Sequence, residues 1–398
     1  MKISLGTNVK KIKVLLFRLI SLRRLAKINK WIIKSISCSD IKLPYGPSSL
    51  NMMMIDTCNS QCIMCGKDYK ANGSGGSLSL EDVKIVYSHL NMQQVIDVIY
   101  GGGGEPFLNK DLSDIAAYTH KHYPVVQHTV ITNFMKWRPT VVRRLLDSRV
   151  HFLISVNAAK KDTFQNISGM DSFKRVITNI RQLVALRRER KASVGISLSI
   201  VLMKQNIGEL CDFIKLAADL GVDEVKTLYV RIYPELFRER RNRDISVKPE
   251  DSLFYHQEES DMLIEEARQL SKQLGLSFCH EPLFCCSETR IRTCNEPWKS
   301  LFINFNGDVY PCPASEILFK PKIDSGQYNG GNIWKQPVEE FWNNPFWQAL
   351  RKTNIKENRE EIIPECLCCG NSINWWGSRS EKAHILDWKE AEKSDLRI

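Results

Sequence analysis

No stretch of this 398-residue chain is apolar for long enough to cross a bilayer, which excludes a membrane-spanning reading. No small-residue cleavage site follows the apolar and basic N-terminal segment, and Arg18 breaks its longest apolar run. This excludes a secretory signal and, with it, the oxidising compartment in which thirteen cysteines would pair as disulfides. Internal repeats are also missing. Acids are absent from positions 1–34, which hold ten Lys or Arg, so only +1 of the formal net charge of +11 belongs to the rest of the chain. A nearly neutral body argues against a phosphate-tracking surface spread over the whole protein, and so against nucleic acid as its partner.

What is present is ordinary for a globular protein: 43% hydrophobic residues, 25% charged, and length for about two or three domains. Within 9–33, Ile12, Leu15, Leu16, Leu19, Leu22, Leu25 and Trp31 interleave with cations at helical spacing, which predicts a basic amphipathic helix. Such a helix either packs on the next domain with its cations solvated, or uses residues 1–34 against a membrane surface or a partner. Its composition also fits a mitochondrial presequence; the expected compartment for the chain is the cytoplasm.

Beyond the breaker cluster at 43–47, short apolar runs alternate with amphipathic stretches. Strands are predicted at 51–56, 95–100, 129–132, 152–156, 194–202 and 225–232, with helices at 112–120, 139–146, 173–188 and 207–220 between them. Ser79, followed by Glu81 and Asp82, predicts the start of a further helix after the Gly-rich loop 72–76. Alternation of this kind means parallel βαβ units with ligands at the carboxyl ends of the strands. The charge-dense 235–261 reads as a linker or mobile loop, closed by a helix at 262–274. The last third has a different character. It carries most of the remaining cysteines, and Trp298, Trp334, Trp342, Trp347, Trp375 and Trp376 read as the core of a small metal-stapled domain.

The cysteines carry the chemistry. Cys58, Cys62 and Cys65 form a Cys-x3-Cys-x2-Cys triplet directly after the first predicted strand. Three thiolates can hold three irons of a cubane and leave the fourth with an open position; a zinc site with a distant fourth ligand, or clustered thiols, are the other readings. After the second predicted strand comes Gly103-Gly104-Glu105-Pro106, where consecutive glycines permit close backbone approach and a carboxylate can accept from an ammonium.

The triplet together with Gly-Gly-Glu-Pro resembles the radical S-adenosylmethionine (SAM) superfamily. The resemblance implies a [4Fe–4S] cluster on Cys58, Cys62 and Cys65, its open iron chelated by SAM, and a SAM amino group bonded by Gly103, Gly104, Glu105 and Pro106. Thr132-Asn133 is similar to the family's Thr-Asn-Gly, with Phe134 in place of glycine, and implies a cofactor contact at Thr132. Ser155-Val156-Asn157 is similar to its Ser-Leu-Asp and implies that Ser155 and Asn157 reach the ribose. Met64 and the strand end at 199–202 correspond to positions that pack on adenine.

Cys294, Gly307, Cys312, the Gly331-Asn332-Ile333 segment, Phe341-Trp342, Leu350-Arg351 and Cys366-Leu-Cys368-Cys369 are in turn similar to the SPASM/twitch extension of that superfamily. No cysteine follows Cys369, which resembles the single-cluster twitch form and implies one auxiliary [4Fe–4S] cluster on Cys294, Cys312, Cys366 and Cys369. A second one using Cys279, Cys285 and Cys286 is the minority reading. Four thiolates would close that cluster to reactants and leave it electron transfer; taken alone, the same pattern also suits a zinc ribbon.

The expected fold is therefore α/β: a partial (β/α)6 parallel barrel of radical SAM type with a small cysteine-rich SPASM/twitch-like domain at its C-terminal side. The expected divisions are 1–47, a radical SAM core 48–235, a linker and helix 236–278, the auxiliary domain 279–378 and a tail 379–398. The implied activity is reductive cleavage of SAM followed by hydrogen abstraction, with a flavodoxin or ferredoxin-type protein as electron donor. Dehydrogenation or cross-linking follows if the auxiliary cluster takes an electron, and epimerisation if a thiol returns a hydrogen atom; Cys211, Cys279 and Tyr229 are donors by residue type. The first 45 or so residues are short and strand-poor for a leader-binding module, which tilts the substrate toward a natural-product-type small molecule over a peptide. A zinc-bound adaptor and an RNA-modifying radical SAM enzyme are the alternatives.

Overall fold

The strand residues bury every second side chain. In β5, Ile196–Leu202, the apolar side chains of Ile196, Leu198, Ile200 and Leu202 are buried on one face, while on the other Ser197 and Val201 are partly open and Ser199 is buried, a period-two pattern that makes one face of a sheet apolar enough to carry helices. A computed structural model describes residues 40–65, 76–230, 247–285, 294–319, 322–323, 325–355 and 366. The basic segment 1–34, most of the Gly-rich loop, the Arg-rich run at 238–244, and Cys286, Cys368, Cys369, Trp375 and Trp376 lie outside the described residues.

Six strands run in chain order and parallel: β1 (Ser49–Met52), β2 (Asp97–Tyr100), β3 (Gln127–Thr132), β4 (His151–Ser155), β5 and β6 (Glu224–Tyr229). Between them lie α1 (Leu80–Ser88), α2 (Leu112–His122), α3 (Pro139–Asp147), α4 (Lys161–Ser168), α5 (Phe173–Glu189) and α6 (Leu210–Leu220). This is the partial (β/α)6 barrel. Helix α1 opens with a reciprocal cap, Ser79 N–H on Asp82 Oδ2 (2.8 Å) and Asp82 N–H on Ser79 Oγ (3.1 Å), which satisfies donors that would otherwise be orphaned. Helix α4, which no periodicity singled out, has no side-chain cap; α7 (Gln257–Gln273) begins five residues before its expected start, with Glu258 and Glu259 in its first turn.

The sheet does not stop at six strands. β7 (Ser277–Cys279) adds parallel to β6, and β8 (Ser300–Ile303) adds parallel to the other side of β1, with β9 (Val309–Tyr310) antiparallel beyond it. The cysteine-rich segment is thus hydrogen-bonded into the barrel sheet through β8. Its hairpin turn explains the glycine and asparagine pattern there. Gly307 takes φ +79°, Asn304 Oδ1 accepts from Asn306 and Asp308 N–H, and Asn332 Nδ2 reaches Asn306 O and Asp308 Oδ1.

Arg351, in α11 (Pro345–Asn354; α8 Glu296–Lys299, α9 Ser315–Leu318 and α10 Val338–Phe341 precede it), is fully buried. Its guanidinium donates to Pro297 O, Ile41 O, Asn343 Oδ1 and Trp342 O at 2.8–3.0 Å and lies 4.7 Å from the Trp342 ring. It fastens the chain at residue 41 to this second unit with carbonyl acceptors, where a carboxylate partner is ordinarily required.

Candidate functional site

The loop after β1 carries Cys58, Cys62 and Cys65 out of the carboxyl end of the sheet, and the chain holds it from two sides. From α4, Ser168 O accepts from Gln61 N–H (2.9 Å) and Ser60 Oγ (3.0 Å), and Ile167 O from Ile63 N–H (2.9 Å). Helix α4 ends at Gly169, φ +69°, where an added Cβ would stand 3.1 Å from Gln61 Cβ. From β2, Gly104 N–H reaches Ile55 O (2.8 Å) and Glu105 N–H reaches Thr57 O (2.9 Å).

Neither Gly103 nor Gly104 has a positive φ, so space, not conformational freedom, demands glycine here. An added Cβ at Gly104 would lie 2.1 Å from Thr57 O, and at Gly103 2.2 Å from Met53 Cγ. The close approach that the sequence reserves for a ligand is in the first instance an approach to the protein's own cysteine loop.

Glu105 is 2% exposed. Its Oε1 accepts from Phe107 N–H (3.0 Å) and Thr132 Oγ1 (2.5 Å), its Oε2 from Asn133 N–H (2.8 Å). Burial pushes its carboxyl up from the ordinary range, against those three donors. Thr132 therefore orients Glu105. The motif reading singled out Thr132 and passed over Asn133, whose Nδ2 donates to Asn59 Oδ1 (2.7 Å) and lies 3.7 Å from Cys58 Sγ. One residue thus joins the buried carboxylate to the first cysteine, by its backbone N–H on one side and its side-chain amide on the other, and its sequence signal is its place beside Thr132. Phe134, where the family has glycine, takes φ +54° and is buried against Phe107, Trp137 and Phe152 at 5.3–6.1 Å.

Burial pushes the Cys58 thiol up to about 12 and Cys62 up to about 11, with Glu105 adding to both, while hydrogen bonds from Ser60 act the other way. Thiols so placed keep their protons until a metal cation displaces them, so the pocket suits a metal–sulfur group that brings its own positive charge. Among the described residues Glu105 has no cationic partner, and a buried carboxylate of this kind fits an ammonium. No three or more His, Cys, Asp or Glu side chains among the described residues form a group that could hold a single metal ion; in a cubane each thiolate instead takes its own iron.

Met64 packs with Ile63 on a small cluster of Ile167, Met203, Val230 and Val247, beside Val201 of β5, which brings it to the strand end expected to meet adenine. Ser155 Oγ lies 3.2 Å from Ser199 Oγ. Asn157 has a structural task at φ +63°: its Oδ1 accepts from Val201 N–H (2.9 Å) and its carbonyl from Asn206 Nδ2 (2.9 Å). Cross-strand register places Ser155, Ser199, Lys226 and Cys279 in one row. Of the three conceivable hydrogen donors only Cys279 stands in it; Cys211 is on α6, and Tyr229 Oη donates to Pro282 O (3.4 Å).

Cys294 precedes α8 and Cys312 follows β9, so both lie toward the end where β1 and β8 begin, opposite the Cys58–Cys65 loop. Cys312 Sγ is 3.0 Å from Ser315 Oγ, and Cys312 and Cys366 share the electrostatic surroundings of Tyr328. Cys369, the fourth expected ligand, is outside the described residues.

Residues 52–232 match the family model of the radical SAM superfamily, and 294–370 match SPASM, an iron–sulfur cluster-binding domain. The PqqA peptide cyclase of Bradyrhizobium diazoefficiens is 24% identical over 366 residues, 87% of this chain and 90% of that one. A probable GTP 3′,8-cyclase of Saccharolobus solfataricus is 28% identical over 176 residues, 44% of this chain and 54% of its own length. Among solved structures, Streptococcus suis SuiB bound to S-adenosylmethionine superposes with a TM-score of 0.61 at 15% identity, covering 82% of this chain and 71% of that one. The protein anSMEcpe with bound AdoMet superposes at 0.55 and 16% identity, covering 79% and 81%.

Proposed function

Because the chain belongs to the radical SAM superfamily and carries an iron–sulfur cluster-binding domain behind the catalytic one, we propose that it is a peptide-modifying oxidoreductase. The zinc-bound adaptor reading gives way to that membership. Bound together, SAM and the [4Fe–4S] cluster would supply one chemistry: reductive scission of the S–C5′ bond to methionine, with the deoxyadenosyl half taking a hydrogen atom from the substrate.

The chain's own residues do the rest. Cys58, Cys62 and Cys65 hold the cluster, and Glu105 receives the SAM amino group while Thr132 and Asn133 keep its oxygens aimed. Met64 and the end of β5 flank the adenine, and Ser155 the ribose. Cys294, Cys312, Cys366 and Cys369 would hold the auxiliary cluster, with Cys294 and Cys312 toward the opposite end of β1 and β8 from the first. Held there, such a cluster would supply a one-electron acceptor, so that loss of a hydrogen atom, then of one electron and a proton to solvent, would oxidise the substrate by two electrons. The observation that carries this reading is the chain of contacts Glu105–Asn133–Cys58, a buried carboxylate tied to a cluster thiol.

The sequence alone tilts toward a small molecule. A peptide is supported by likeness to a peptide cyclase over nearly the whole of both chains, at 24% identity. The test is anaerobic reconstitution, iron counting in Ala variants of each cysteine group, and a deuterated peptide library assayed for label in 5′-deoxyadenosine. Wild type that loads iron and sulfide, cleaves SAM and takes label from a peptide supports the proposal; wild type that binds zinc alone, or loads iron and never cleaves SAM, ends it. Label arriving only from small molecules would keep the chemistry and discard the peptide.

A further inference from the structure

The body's charge of +1 hides a strong asymmetry. Residues 136–191 hold fourteen Lys or Arg against four Asp or Glu, a local net of +10. They run through α3, β4, α4 and α5, and α3 and α5 are tied to each other by Arg190 and Asp147. Ion pairs occupy Arg144, Lys160, Lys161, Arg187 and Arg190. Lys136, Arg143, Lys174, Arg175, Arg181 and Lys191 are exposed with no acidic partner among the described residues.

The ridge begins beside the cysteine loop. Helices return antiparallel to the strands, so the first turns of α3 and α5 sit at the carboxyl end of the sheet. Lys136 follows by three residues the Asn133 that lies against Cys58, and Lys174 and Arg175 follow by five and six the Gly169 that packs on Gln61. Farther along α5, Asn179 donates to Phe134 O (2.8 Å), pinning the helix to the loop that carries Asn133.

We infer that this α3–α5 ridge is the docking surface for an acidic protein that delivers an electron to the Cys58–Cys65 cluster, an inference that rests on the function proposed above. At contact the donor is oxidised by one electron and the cluster reduced by one; no bond forms. Between residues 136 and 191 no large apolar side chain is exposed. A surface of exposed cations, in which Trp137 and Phe173 are only partly open and pack into the core, suits a wet, salt-sensitive, short-lived encounter. Single-stranded nucleic acid would call for stacking aromatics between the cations.

The experiment uses the full-length reconstituted enzyme and a fourfold variant, Lys136→Glu, Lys174→Glu, Arg175→Glu and Arg181→Glu, with iron content confirmed equal. Reduced flavodoxin, an acidic flavoprotein, serves as one electron source and dithionite as the other, and 5′-deoxyadenosine is the readout. The expected result is a fall of about tenfold or more in the flavodoxin-driven rate at low ionic strength, a wild-type rate that drops with added salt, and dithionite-driven cleavage unchanged within about twofold. An unchanged flavodoxin-driven rate overturns the inference. So does a ridge-dependent gel shift of RNA with the donor rate intact, which would make the surface a nucleic-acid site. If wild type fails to cleave SAM even with dithionite, it is the proposed function that falls.

Discussion

Replacing Gly104 by alanine puts the site's construction to a quantitative test. The new Cβ would stand 2.1 Å from Thr57 O, 2.6 Å from Thr57 C and 2.7 Å from Ile55 O, all backbone atoms that no rotamer change can move aside. Opening the shortest contact to 3.0 Å, below which real Cβ atoms are essentially never found, needs about 1 Å of displacement at the residue before Cys58. The hydrogen bonds from Gly104 and Glu105 to Ile55 O and Thr57 O stretch with it. Overpacking costs about 1–3 kcal/mol and two weakened bonds about 1 kcal/mol more, so Gly104→Ala should lose about 2–4 kcal/mol. A shift of 1 Å in a reacting geometry costs on the order of 100-fold in rate. Urea unfolding and dithionite-driven 5′-deoxyadenosine formation measure the two effects. Gly208→Ala, with nothing within 4 Å of the added atom, is the control and should be neutral to within about 1 kcal/mol. A Gly104→Ala enzyme with full iron load and a rate within threefold of wild type would refute the steric argument.

Glu105→Gln should weaken SAM binding by about 10–100-fold in calorimetry, since it removes a charge and turns one of three accepting contacts into a donor facing a donor; unchanged affinity would remove Glu105 from the site. Phe134→Gly relieves about 1 kcal/mol of left-handed strain but empties an aromatic pocket worth about 3–5 kcal/mol, for a net loss of about 2–4 kcal/mol in urea; a stabilised variant would show that the ring contributes little. Burial drives His128 down to about 4 from 6.5, so the folded state stays neutral where the unfolded chain takes up a proton. Stability should fall by about 2 kcal/mol from pH 7 to pH 5, and His128→Gln should flatten that slope. Arg351→Met leaves four acceptors without their donor and should cost about 3–5 kcal/mol, seen as a lowered urea midpoint whether or not iron is bound.

The βα alternation was legible because β2, β3, β4 and β6 bury alternate side chains and each long helix an apolar stripe, both local signals. Helix α4 escaped notice because it has only eight residues and no side-chain cap, although Gly169 after it is a fair stop signal. The pairing of β8 with β1 joins residues about 250 apart and has no local signature. Within the site, the thiol triplet was plain from spacing, and the carboxylate proposed for an ammonium came from the resemblance carried by Gly103–Pro106. What spacing could not convey is through-space: that Gly104 makes room for Thr57, that Asn133 bridges Glu105 and Cys58, and that Asn157 spends its Oδ1 on Val201. Charge misled in a simpler way, since averaging over the body cancelled a basic wall against acids elsewhere.

The adjacency of β1 and β8 has a consequence for synthesis. A ribosome adding 5–20 residues per second needs on the order of 10–50 s to travel from Ser48 to Lys299, whose carbonyl completes that edge. Through that interval the nascent barrel presents an unfinished flank, a template for wrong pairing that only late translation can cover. Truncations ahead of Ile303 should therefore aggregate instead of yielding a smaller working enzyme.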